Sequence, residues 1–238
     1  MKPLSIAILS LAGAAVMPAL AGTATFDDLS TPPPLTSSTG LYYANGDSSI
    51  YQGVTWDSRF VVVGDEARVD PATPGPLFGI PHSGHYFVTN EGDGASNDGL
   101  IISTSMVLTG AWFGRNEYYG FGAGADQVTI SALGSGGAAL MSVVFDLPAP
   151  AVAGQPGIMG FVDTGAFSTL SGITGYRIDR HETGDLNGNW VADDFTFEPA
   201  AVVPEPASVV LLLAGLLAVA TSVRRASSGS PARTGRRL

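Results

Sequence analysis

Between residues 22 and 203 no twelve consecutive positions keep a helical period free of glycine or proline. A helix interior loses about 1 kcal/mol to each glycine and about 3 to each proline relative to alanine. Isolated helices shorter than about twelve residues are marginal in water. The chain carries 31 glycines and 16 prolines, so helical bundles and coiled coils are excluded for this segment. What remains are short runs rich in β-branched and aromatic residues, at 51–56, 59–63, 85–89, 100–103 and 107–113. Residues 127–133 (QVTISAL) alternate apolar and polar, as a strand with one wet face should. Residues 140–147 read as a more buried partner, joined through Gly134-Ser135-Gly136-Gly137 as a hairpin. Residues 172–179 and 190–197 close the series. The expected fold is all-β, an antiparallel two-sheet sandwich of jelly-roll-like winding.

The ends of the chain differ from this body. Lys2, an apolar run over 4–16 and Ala19-Leu20-Ala21 have the order of a secretory signal peptide, assigned to residues 1–21. Near the other end, Pro204-Glu205-Pro206 precedes seventeen uncharged residues, 207–223, and then Arg224 and Arg225. Seventeen residues at ~1.5 Å each cover roughly 26 Å, the short limit for a membrane-spanning helix. Arginines directly after it would hold the following tail, 226–238, in the cytoplasm. The two apolar ends raise the mean hydropathy to +0.25 in a chain of net charge −10. Without them, residues 22–203 hold five arginines against twenty acids, a net −15 with no lysine. That charge excludes nucleic acid as a partner, since binding to phosphates needs a basic footprint. No cysteine occurs, which excludes disulfides, zinc–thiolate sites and a cysteine nucleophile.

The ending of Val203-Pro204-Glu205-Pro206, short apolar helix and Arg224-Arg225 resembles the PEP-CTERM sorting signal of Gram-negative bacteria, over residues 203–225. The resemblance implies an exosortase as processing partner, cutting near the PEP motif after transient inner-membrane anchoring. It implies release to the cell surface or to an exopolysaccharide or biofilm matrix. The body, 22–203, resembles a recurrent ectodomain of such proteins. Its opening Thr25-Phe-Asp-Asp-Leu29 and closing Val191-Ala-Asp-Asp-Phe-Thr-Phe197 match the pair of motifs that frames those domains, and Gly160-Phe161-Val162 with Ile173-Thr174-Gly175 resembles their penultimate segment. This second resemblance implies a β-sandwich related in shape to carbohydrate-binding modules, with polysaccharide as the candidate partner.

Three groupings could carry chemistry. Asp185, Asn187 and Asn189 have the spacing that lets alternate oxygens face one calcium ion, although Trp190 and Thr196 stand where an EF-hand needs glycine and an acid. The plainer reading is a turn whose side chains bond the backbone. If the first and last strands lie side by side, Asp27 or Asp28 comes near Asp193 or Asp194. Strand alternation then allows one acid of each pair at a shared calcium site. No cofactor is required, and calcium is the candidate structural ion. Among the aromatics, Tyr118, Tyr119 and Phe121 with Arg115 form a candidate glycan platform, while Trp56 and Trp112 read as core. Residues 90–99 are a further oxygen-rich loop.

The catalytic signatures are incomplete. Asp163-Thr164-Gly165 is a single copy of a motif that aspartic proteases need twice. His82-Ser83-Gly84-His85 could in principle bind a metal, but Pro81 and Gly84 place it at a loop-to-strand entry; His181-Glu182 lacks a second histidine, and no G-x-S-x-G elbow occurs. The leading expectation is a non-catalytic, surface-sorted sandwich protein. A calcium-stabilised carbohydrate-binding module is the second reading and a secreted hydrolase the third.

Overall fold

The computed structural model describes residues 21–40, 49–67, 78–90, 99–116, 124–152, 157–181, 188–200 and Leu216. The chain divides into Met1–Ala200 and Ala201–Leu238. In the second unit only Leu216, which is helical, is described, so the predicted membrane helix, PEP motif and Arg224-Arg225 lie outside the described residues. Residues 1–20 of the predicted signal segment, 1–21, do too.

The first unit is all-β. Its strands are β1 (Gly22–Ala24), β2 (Ser38–Gly40), β3 (Ser49–Tyr51), β4 (Val54–Trp56), β5 (Val61–Gly64), β6 (Tyr86–Thr89), β7 (Leu100–Ser103), β8 (Val107–Arg115), β9 (Gln127–Leu133), β10 (Ala139–Asp146), β11 (Gly160–Asp163), β12 (Gly175–His181) and β13 (Trp190–Glu198). They form two antiparallel sheets. One runs β11-β8-β13-β6-β5-β2, with β1 also on β13; the other runs β10-β9-β12-β7-β4-β3.

The core lies between the sheets. Val54, Trp56, Ile102, Ile130, Tyr176 and Ile178 come from the six-stranded sheet and meet Ala24, Val88, Phe113, Trp190, Phe195 and Phe197 from the seven-stranded one. Burying such side chains supplies about 1.5–3 kcal/mol each and is what holds the layers face to face. A smaller cluster (Val61, Val63, Ala67, Phe78, Phe87, Met159 and Val191, with Trp112 against it) lies apart from this core.

Two sequence expectations are corrected. Residues 51–56 are not one strand but the hairpin β3–β4, because Gln52 and Gly53 both take positive φ, 53° and 72°, as a two-residue hairpin turn requires. Residues 140–147 are not the more buried partner of residues 127–133. β10 is the edge of its sheet and alternates exposed and half-buried positions, whereas β9 lies between β10 and β12. An apolar run is equally compatible with a central or an edge strand, and only pairing decides which. The turn between them is made by Gly134–Gly137, with Gly136 and Gly137 both at positive φ.

Candidate functional site

The first and last strands do lie side by side: Gly22 faces Phe197 and Ala24 faces Phe195. Further back along β13, Val191 and Ala192 pair with β6 instead. Asp193 and Asp194 therefore stand where β13 changes neighbour from β6 to β1. Backbone amides at such a handover lose their ladder partners and must find others. The carboxylates supply them.

Asp193 Oδ2 accepts hydrogen bonds from the amides of His82 (2.9 Å) and Ser83 (3.0 Å), and its Oδ1 accepts one from the Asp194 amide (2.8 Å). Asp27 Oδ1 accepts from the amides of His85 (2.7 Å) and Tyr86 (3.2 Å). Asp194 engages side chains, with Oδ2 at 2.6 Å from His82 Nδ1 and Oδ1 accepting from the Ser83 hydroxyl at 2.9 Å. Three acids from the two ends of the sandwich thus hold one segment, His82 to Tyr86, that leads into β6.

Both acids of the closing pair point at this segment, against the expectation from strand alternation. The cause is a bulge. Asp193 faces Trp112 and Thr196 faces Gly110, so β13 uses one more residue than β8 over this stretch. Asp194 takes φ 51°, a left-handed conformation that aspartate tolerates better than most residues. The extra residue cancels the alternation for one step. The opening pair does alternate. Phe26, at φ 63°, turns its ring into the core against Trp56 and Phe195. Asp28 then bonds the Tyr51 hydroxyl and accepts from Gln52 Nε2 (2.9 Å), on the β3–β4 hairpin of the other sheet. The Tyr51 hydroxyl accepts from the Phe26 amide, and burial, with the Asp28 hydrogen bond, pushes it up to about 12.

Asp193 is fully buried. Burial and the charge of Asp194 push its carboxyl up to about 7, against the amide hydrogen bonds that favour the ionised form. The neighbouring His82 ring stacks on Trp112 with centroids 3.6 Å apart and 11° between planes. Ser83 donates to Asp194 rather than to an imidazole, so this Ser, His and Asp do not form the relay in which a histidine takes the hydroxyl proton. Sequence reading missed His82 and Ser83 as partners of the acids. Only the bulge and the change of strand neighbour bring them together, and neither leaves a sequence mark beyond the Asp-Asp pair.

Gly84 completes the clamp. It takes φ 53°, and a Cβ there would overlap the Asp27 carboxylate. Gly84→Ala is expected to cost about 2–3 kcal/mol, whereas Gly136→Ala, also at positive φ but facing open space, should cost only about 1. Urea denaturation of the two variants checks this, and equal losses would mean that the Asp27 contact contributes nothing.

The other predicted site residues are dispersed. Asp185, Asn187, Tyr118, Tyr119 and Phe121 lie outside the described residues, as do residues 91–98. Asn189 Oδ1 accepts from Arg180 Nη1 at 3.3 Å, and Asn90 Oδ1 accepts from the Trp190 amide at 2.8 Å. Arg115 Nε donates to the Leu147 carbonyl at 3.3 Å. Asp163 Oδ1 accepts from the Gly165 amide (2.8 Å), forming a turn rather than half of a dyad. Among the described residues no group of three or more His, Asp or Glu is arranged to hold a metal ion.

A shallow cavity of about 280 Å³ opens on the six-stranded sheet, lined by Thr55, Trp56, Asp57, Ser58, Ile101 and Ser103. Burial pushes the Asp57 carboxyl up, but hydrogen bonds from Arg59 (2.7 Å from Nη2) and from backbone amides outweigh it and hold the group below its usual range. The cavity thus sets three hydroxyls around a fixed carboxylate–guanidinium pair.

No family model and no curated protein matches the chain. Solved structures similar to it include the following two. A DUF4465 family protein from Bacteroides caccae aligns with a TM-score of 0.42 and 14% identity over 59% of this chain and 73% of that one. The K2 cleaved adhesin domain of Lys-gingipain aligns with a TM-score of 0.38 and 16% identity over 75% of this chain and 97% of that one.

Proposed function

We propose that the chain is a non-catalytic, exported β-sandwich protein sorted to the cell surface or the exopolysaccharide matrix. Residues 1–21 direct export. Residues 204–225 hold the chain briefly in the inner membrane, where an exosortase cuts near Pro204-Glu205-Pro206. The observation that carries this reading is the coincidence of three unlike elements (PEP motif, apolar uncharged stretch, arginine pair) in one order over 203–225. The spent acids support it: Asp27, Asp193 and Asp194 all hold backbone amides or side chains of one segment. Mass spectrometry of membrane-bound and released forms tests the sorting. The released form should end near residue 204, and replacing Pro204, Glu205 and Pro206 by alanine should leave the chain in the membrane. A released form extending beyond Val223 overturns the reading.

The hydroxyl-lined cavity favours a second reading, a carbohydrate-binding module of jelly-roll-like winding. Thr55, Ser58, Ser103 and Asp57 offer donors and acceptors of the kind a sugar residue pairs with. Calcium is the structural ion this reading allows, at the sequence Asp185, Asn187 and Asn189. Retention on a polysaccharide gel that is lost in Ser103→Phe, and a melting temperature that rises with calcium, are its expected results.

A further inference from the structure

Among the described residues, one end of the sandwich is open in both layers. β10 ends the six-stranded sheet and β11 ends the seven-stranded one, and the two edges lie over each other, since Phe145 packs against the Gly160 backbone where a Cβ would stand. Among the described residues of the sandwich, seven large apolar side chains are exposed. Five of them (Leu140, Val144, Val152, Ile158 and Phe161) lie on β10, β11 or the segment joining them. Val144 is 58% exposed and Ile158 73%.

Edge strands are ordinarily protected from pairing by charge, proline, shortness or bulges. β10 is eight residues long and has no lysine or proline, with its register irregularity confined to the first residues, between Ala139 and Met141. Asp146 is the single charged residue between positions 134 and 162. In a body with twenty acids and five arginines, this end is where two copies meet with least repulsion.

We propose that the chain forms a two-fold dimer through this end, β10 pairing antiparallel with β10 of a second copy and β11 facing β11. The occupant must present two strand edges that are uncharged up to a terminal aspartate (Asp146 on β10, Asp163 on β11) and separated by one sandwich thickness, about 10 Å. A second copy does so by construction, and a two-fold axis perpendicular to the sheets continues both layers at once. In that arrangement the half-buried Met141, Val143 and Phe145 extend the inner apolar layer across the axis, and Leu140 and Val144 meet on the outer face. The inference does not depend on the sorting reading.

The test uses the full chain in mild detergent. Sedimentation should give a dimer, and Val144→Lys, which sets like charges across the axis, should lower the dimer fraction at least ten-fold. The chain has no cysteine, so single-cysteine variants report contacts cleanly. Under oxidation at least one of Leu140→Cys, Ser142→Cys and Val144→Cys should cross-link into a disulfide dimer, and Gln52→Cys, on the hairpin at the opposite edge, should not. A monomer in sedimentation, a dimer undisturbed by Val144→Lys, or cross-linking no greater than at Gln52 would each overturn the proposal. The second of these outcomes would place the contact in the membrane segment instead.

Discussion

Asp193→Ala is expected to unfold the chain at markedly lower denaturant, a loss of about 3–5 kcal/mol at neutral pH. The substitution leaves three part-buried amides, those of His82, Ser83 and Asp194, without the fully buried acceptor they share. Each buried unsatisfied donor costs about 1–3 kcal/mol, and relaxation of the His82–Tyr86 segment recovers part of the sum. Asp193→Asn keeps an acceptor oxygen and should lose about half as much. If alanine costs no more than asparagine, the amides are satisfied in some other way and the clamp is not a stabilising feature.

The pH dependence has a definite sign. With a folded pKa of about 7 against an ordinary carboxyl near 4, the native state keeps a proton that the unfolded chain has lost. Stability from this group therefore falls as pH rises from about 4 to about 7, by at most about 1.4 kcal/mol per pH unit, and is flat above. His85 adds a loss of the same sign at higher pH. The Asp65 hydrogen bond raises its pKa, so its contribution is complete below about 6.5 and disappears above the folded value. Chemical denaturation between pH 5 and 6.5 isolates Asp193. The wild type should lose stability across that window, and Asp193→Asn should flatten the slope. An identical slope in the variant would assign the effect to general repulsion among the acids.

The sheet content was legible in the sequence because it rests on local signals. The strand pattern at 100–103 and 127–133 coincides with β7 and β9 to the residue. The pairing of the first strand with the last was also inferable, since the two motifs open and close one antiparallel domain. What could not be read is how the acids are used. The bulge at Asp194 depends on β8 and β13 spending different numbers of residues, a property of the pair of strands rather than of either. The short strands β1 and β2 carry too few residues for a period, and β3–β4 hid as one run because Gln52 at positive φ has no glycine-like signature.

Trp56 and Trp112, two of the three tryptophans that lie inside strands, look alike in sequence but should differ about two- to three-fold in what their removal costs. Trp56 is fully buried, with Phe26, Phe60 and Phe195 edge-on at 5.1–5.2 Å and its Nε1 donating to the Tyr51 carbonyl at 3.2 Å. It joins β4 of one sheet to β13 and the turn after β1 of the other, so its loss opens a cavity between the layers that neither can close alone. Trp56→Ala should cost about 3–5 kcal/mol, a large share of the roughly 5–15 kcal/mol that holds an ordinary domain folded. Trp112 is half-buried, against His82 and Phe161. Its truncation removes a stacking surface without opening the core, and Trp112→Ala should cost about 1–2 kcal/mol. Loss of the Trp112 ring also frees His82, so this variant should raise hydrogen exchange at the His82 and Ser83 amides while leaving β4 and β7 protected. Trp56→Ala should raise exchange throughout both sheets. Comparable stability losses for the two variants would mean that the smaller cluster around Trp112 is as integral to folding as the core between the sheets.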